Sequence, residues 1–163
     1  MRTLLISLFI LSLFSNLSAQ ETQILNQNNA PITINNFEAK YQEDGRYSSE
    51  GIRYDVAFHN ADQKNIVAYS FGFYAFDVFN RSLGRPLEGF SVDELEPNSP
   101  DNAAWVQRTV NSSLFREYGT AVAYIARVRY KDGSIWTYDE EAILKQLQKF
   151  EESLTLDDLE SEK

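Results

Sequence analysis

The chain has 163 residues, no cysteine and a formal net charge of −9. Without cysteine there can be no disulfide framework and no lipid attachment at a leader cysteine, so the fold must rest on its apolar core. The acidic balance argues against nucleic acid and anionic lipid as partners, because both would repel it.

The first segment is an address. Arg2 precedes an apolar run over residues 4–14, and Ser18 and Ala19 close it before Gln20. This pattern predicts a Sec-type signal peptide over residues 1–19 and a secreted or periplasmic protein. The run is shorter than the roughly 20 apolar residues a membrane-spanning helix needs, and no second run follows, so no membrane span is expected. Residues 20–31 are rich in Gln and Asn with little periodicity and read as a flexible N-terminal arm.

Alternation begins at Ile32 and Ile34 and runs toward Tyr41, where Glu43-Asp44-Gly45 supplies a turn signal. Residues 53–60 alternate cleanly. Tyr54, Val56 and Phe58 share one face, with Arg53, Asp55, Ala57 and His59 on the other, which predicts a half-buried strand. Residues 66–79 are apolar on both parities, with Phe71, Phe73, Ala75 and Phe79 on one and Tyr74, Phe76 and Val78 on the other. A strand covered on both faces fits, and Gly72 inside it suggests a bulge or bend. A turn at 80–86, a short strand at 87–92, a Pro-containing loop at 96–100 and a strand at 103–110 carrying Trp105 follow.

The clearest hairpin joins a strand at 121–130 to one at 134–138 through Lys131-Asp132-Gly133, with Gly133 in the left-handed position that ends such a loop. That register pairs Tyr130 with Ser134, Val128 with Trp136 and Arg127 with Thr137. Trp136 and Tyr138 then share a core face with Val128, Ala126 and Tyr124, and Arg127 and Arg129 look outward. At Asp139 the period changes. Ile143, Leu147, Phe150 and Leu154 form one stripe of an α-helix, and Asp139, Glu140 and Glu141 suit the positive end of its dipole.

About seven short strands followed by one helix predict a mainly β fold: an immunoglobulin-like antiparallel β-sandwich over residues 32–138, then a C-terminal amphipathic helix and acidic tail over 139–163.

At Phe73-Tyr74-Ala75-Phe76-Asp77 the chain resembles the FxLYD domains, small exported bacterial modules. Ala75 stands where that pattern has Leu, and Phe76 where it has Tyr. The Gly84-Arg85-Pro86-Leu87 turn and residues 92–97 are similar to the same pattern. The resemblance implies an exported immunoglobulin-like accessory module without assigned catalytic residues.

No catalytic set is complete. His59 is the only histidine and falls on the polar face of its strand, with no Gly-x-Ser-x-Gly nucleophile setting elsewhere. One histidine and no cysteine do not make a zinc or copper site. The loop acids Glu43, Asp44, Asp93, Glu94 and Glu96 lack the spacing of a calcium loop and read as solvated turn formers. Asp55 and Asp77 are the best candidates for a glycosidase-type carboxylate pair, with a structural or edge-protecting role as the plainer reading. Asn80-Arg81-Ser82 and Asn111-Ser112-Ser113 match glycosylation acceptors.

The expectation is therefore a non-catalytic module without a cofactor. Its candidate contact residues are Arg127 and Arg129 on one strand face and Ile143, Leu147 and Phe150 on the helix. The expected partner is another protein or the chain's own acidic tail. The alternative is a carbohydrate-binding module or small glycan hydrolase that uses exposed aromatics, Trp105 above all, together with acids.

Overall fold

The computed structural model describes residues 20–43, 50–108 and 115–160. Eight strands occur among them: β1 (Glu21–Ile24), β2 (Ile32–Gln42), β3 (Gly51–Asn60), β4 (Ile66–Asp77), β5 (Leu87–Ser91), β6 (Pro100–Arg108), β7 (Tyr118–Tyr130) and β8 (Ile135–Thr137). Helix α1 (Glu140–Leu147) and a 3-10 turn (Leu156–Leu159) follow.

The strands form two sheets, one ordered β2-β3-β6 and the other β1-β7-β4-β5, with β8 also on β7. Setting β2-β3-β6 against β5-β4-β7-β8 reproduces the immunoglobulin arrangement of strands A, B and E facing C′, C, F and G. Aromatic and branched side chains at alternate positions meet between the sheets. Tyr54 and Phe58 of β3 and Phe71 and Phe73 of β4 are fully buried there, and the Tyr54 and Phe73 rings stack with centroids 4.6 Å apart. Trp105 lies at the margin of this core, 5.5 Å from both Phe71 and Phe73. It occupies the space left by Gly89, where a Cβ would meet the indole at 2.5 Å.

A second core lies on the outer face of the five-stranded sheet. Tyr74, Phe76, Val122, Tyr124 and Ala126 are covered there by Ile143, Leu147, Leu154 and Leu159. This explains why β4 is apolar on both parities: each face meets its own layer. Gly72 marks no bulge. Its bare backbone admits the Tyr124 ring, which a Cβ would strike at 2.1 Å.

The hairpin register is as expected, with Arg127 opposite Thr137 and Val128 opposite Trp136. Tyr130 N–H donates to the Ser134 carbonyl at 2.9 Å, and Gly133 has φ +86°. The common core face expected for Val128, Ala126 and Tyr124 is divided instead. The pairing of β4 with β7 slips between Ser70–Arg127 and Phe71–Ile125, so Ala126 is an extra residue. This bulge reverses the parity of β7. Val128 enters the inter-sheet core, while Tyr124 and Ala126 face the helix.

Two further expectations change. Residues 20–31, read as a flexible arm, begin with β1, which pairs in parallel with β7 from Glu21–Thr120 to Ile24–Ala123. All four β1 residues are exposed, so backbone pairing holds the strand and no apolar period marks it. The helix stops at Leu147 rather than continuing along the stripe. Phe150 and Leu154 still reach the outer core, from the irregular segment beyond the helix. Asp139 caps α1 as its charge pattern suggests, accepting from Ala142 N–H at 3.0 Å.

Candidate functional site

The outer face of the five-stranded sheet is only half covered. Its open half is a groove of about 360 Å³ bordered by Ser70 of β4, Phe90 of β5, Arg127 and Arg129 of β7 and Ile135 of β8. The registers order these side chains. Ser70 sits between Arg127 and Phe90, and Arg129 sits between Ala68 and Ile135. The bulge at Ala126 turns both arginines outward; without it Arg127 would point into the inter-sheet core. Phe90 and Ile135 are 67% and 60% exposed, so two large apolar groups flank the guanidinium pair in solvent.

The charges in this groove are not equivalent. Glu88 accepts from Ser70 Oγ at 2.7 Å and pairs with Arg127 at 3.0 Å, so Arg127 has a carboxylate partner within its own sheet. Arg129 forms no ion pair among the described residues. It is a free cation in an apolar setting on a strongly acidic protein. Glu88 and Arg127 also border a neighbouring cleft of about 610 Å³ between the sheet and the 3-10 turn, floored by Tyr124 and Tyr138.

The helix residues behave differently from the arginines. Ile143 and Leu147 are buried against the chain's own sheet, which corrects their reading as partner contacts: covering Tyr74, Phe76 and Val122 already uses their apolar surface. Phe150 is half-buried and stacks on Phe76 with centroids 4.9 Å apart. Sequence reasoning passed over Phe90 and Ile135. The hairpin register contained the signal for Ile135, since pairing Val128 with Trp136 places Ile135 beside Arg129 on the outward face.

Local structure accounts for His59, Asp55, Asp77, Asp93 and Glu94. His59 Nδ1 lies 3.1 Å from Asn35 Oδ1. Asp55 is bound by the Arg53 guanidinium at 2.7 Å on β3. Asp77 ends β4 in the other sheet, where its carboxylate accepts from the N–H groups of Phe79 and Arg81 and pairs with the Arg81 guanidinium at 2.7 Å. Burial alone would raise the Asp77 pKa, but these hydrogen bonds outweigh it and hold the carboxyl below its usual range. The two acids are thus separate structural groups. Glu94 is engaged by Lys131 at 2.7 Å and by Asn65 at 3.1 Å, and Asp93 accepts from Ser91. Asn80 lies in an exposed turn with φ +60°; Asp44, Gly45 and Asn111 lie outside the described residues.

No family model matches the chain, and no curated protein does. Two solved structures are similar to it. One is a hypothetical protein from Peptoclostridium difficile 630, 13% identical, with a TM-score of 0.55 over 74% of this chain and 93% of its own. The other is a Northeast Structural Genomics Consortium target, 11% identical, with a TM-score of 0.43 over 66% of this chain and 81% of its own. The first is a likeness of fold alone, and the second carries no argument.

Proposed function

We propose that this is an exported, non-catalytic binding module that docks a protein partner on the open half of its outer sheet face. One observation carries the reading: Phe90 and Ile135 stand exposed on either side of the Arg127–Arg129 pair, and Arg129 is a guanidinium with no carboxylate partner among the described residues. Such a surface suits a segment that covers both apolar groups and brings a carboxylate to Arg129, which would gain a charge-assisted hydrogen bond in a partly desolvated setting. The leader pattern over residues 1–19 supports export. Among the described residues no helix is long and apolar enough to cross a membrane. The resemblance to FxLYD modules supports the same class of protein. In this reading the stretch Phe73–Asp77 is structural, since Phe73 and Ala75 serve the inter-sheet core while Tyr74 and Phe76 serve the layer under α1.

Replacing Arg127 and Arg129 together with alanine and recovering bound proteins from the exporting cell tests the surface. The expected result is loss of a specific partner with unchanged thermal stability. An unchanged partner list would overturn it.

A further inference from the structure

β7 is longer than the strand that follows it. β8 pairs only with Arg127, Val128 and Arg129 before the chain leaves for α1. Farther along the same edge, Thr120–Ala123 is covered by β1, which arrives from the other end of the sequence and runs parallel. Between the two lies Ile125, whose backbone is completed by a side chain. Gln27 Nε2 donates to the Ile125 carbonyl at 2.8 Å, and Ile125 N–H donates to Gln27 Oε1 at 2.6 Å. A glutamine amide stands in for a peptide group where neither strand reaches. A second glutamine repeats the device: Gln146 of α1 accepts from Asn26 N–H and donates to the Asn26 carbonyl, both at 2.9 Å.

The side chains of β1 contribute almost nothing to holding it. All four are exposed, and only Leu25 at its end is buried in the outer core. The segment is gripped by backbone pairing, one leucine and two amides. None of these contacts requires that the segment belong to the same molecule. The link to β2 is short and contains Asn29 at φ +60°, a left-handed backbone that a non-glycine residue adopts at a cost. Short strained links of this kind favour exchange between copies.

We propose that the β7 edge from Thr120 to Ile125 is a strand-acceptor site and that its second occupant is residues 21–27 of another copy of this chain, giving a strand-exchanged dimer. The site selects an extended segment that runs parallel to β7, places a leucine in the outer core and presents a glutamine to Ile125. Every copy carries that segment. The inference does not depend on the groove around Arg129.

The absence of cysteine allows a direct test. Glu21 and Thr120 are neighbours across β1 and β7, so the double variant Glu21→Cys, Thr120→Cys records which molecule supplies the strand. The chain from Gln20 onward, which contains every described element, is incubated over a range of concentrations up to millimolar and then oxidised. The products are separated without reductant and the linked peptides identified by mass. The expected product is a covalent dimer joined through positions 21 and 120, rising with the incubation concentration. Deleting Asn28 and Asn29, which denies the segment its return, raises the dimer several-fold, and Asn29→Gly, which relaxes the left-handed turn, lowers it. Cross-linked monomer alone at every concentration and in the deletion variant would overturn the proposal, as would a dimer linked only through 21 and 21, or the absence of any cross-link.

Discussion

The hydroxyl of Tyr118 donates to the carbonyl oxygen of Ala39 at 2.5 Å, joining the first residue of β7 to β2 in the facing sheet. Both residues are buried, so neither group can turn to water if the other is removed. Tyr118→Phe keeps the ring and leaves the Ala39 carbonyl unpaired, which costs about 1–3 kcal/mol. A lowered urea midpoint with an unchanged slope checks this; an unchanged midpoint would show that the bond contributes nothing.

The same burial sets the response to alkali. Desolvation pushes Tyr118 and Tyr74 up to about 12, whereas an unfolded tyrosine titrates near 10. The folded pKa is the higher, so the contribution of each is fully present below pH about 10 and is lost as pH rises toward about 12, where the unfolded state has already released its proton. Each group weakens the fold by about 1.4 kcal/mol per pH unit across that window. Unfolding midpoints across the window should fall for the wild type and fall less steeply for Tyr74→Phe.

Asn60 is a buried amide that the alternation of β3 gave no reason to notice, since it follows His59 at the strand end. It is fully buried. Its Nδ2 donates to the carbonyls of Lys64 at 2.9 Å and Leu95 at 3.1 Å, and its Oδ1 accepts from Asp62 N–H at 2.9 Å. It therefore ties the β3–β4 turn to the loop before β6. Asn60→Ala takes the partner from the Lys64 carbonyl and the Asp62 N–H, while the Leu95 carbonyl keeps the Ile66 N–H at 3.0 Å, and should cost about 1–3 kcal/mol. Asn60→Asp should also destabilise, because a carboxylate cannot donate to either carbonyl; a stable aspartate variant would contradict this account of the loop.

The two halves of the outer face should respond oppositely to truncation. Ile143→Ala or Leu147→Ala removes buried methyl groups and should cost about 2–5 kcal/mol each. Phe90→Ala and Ile135→Ala remove exposed groups and should stay within about 0.5 kcal/mol. Thermal melts of the four variants separate a face that holds the fold together from one that is free to bind.

The sequence revealed most where one side-chain pattern had one cause. In the Lys131–Gly133 hairpin, loop length, glycine position and alternation agree, and its register was readable residue by residue. The helix was readable from Ile143 and Leu147, because an acidic cap and an apolar stripe coincide there. Reading failed where backbone geometry acts without a side-chain signature. The bulge at Ala126 lies in a run that is apolar on both parities, so nothing in the pattern reveals the reversal. β1 is held through its backbone and through amides of residues that otherwise look like loop formers. For the groove, the outward setting of Arg127 and Arg129 was legible. The place of Phe90 beside them was not, since it depends on how β5 pairs with β4, two strands whose connection has no fixed register.

The central claim is that partners meet the open half of the outer sheet face and not the half under α1. A photo-reactive residue placed in turn at Phe90, Ile135, Glu38 and Lys145 of the protein in its native cell tests this most directly. Phe90 and Ile135 should capture the same protein, and Arg129→Glu should abolish the capture, while Glu38 on β2 and Lys145 on α1 capture nothing in common with them. Adducts confined to Glu38 or Lys145, or none at Phe90 and Ile135, would contradict it.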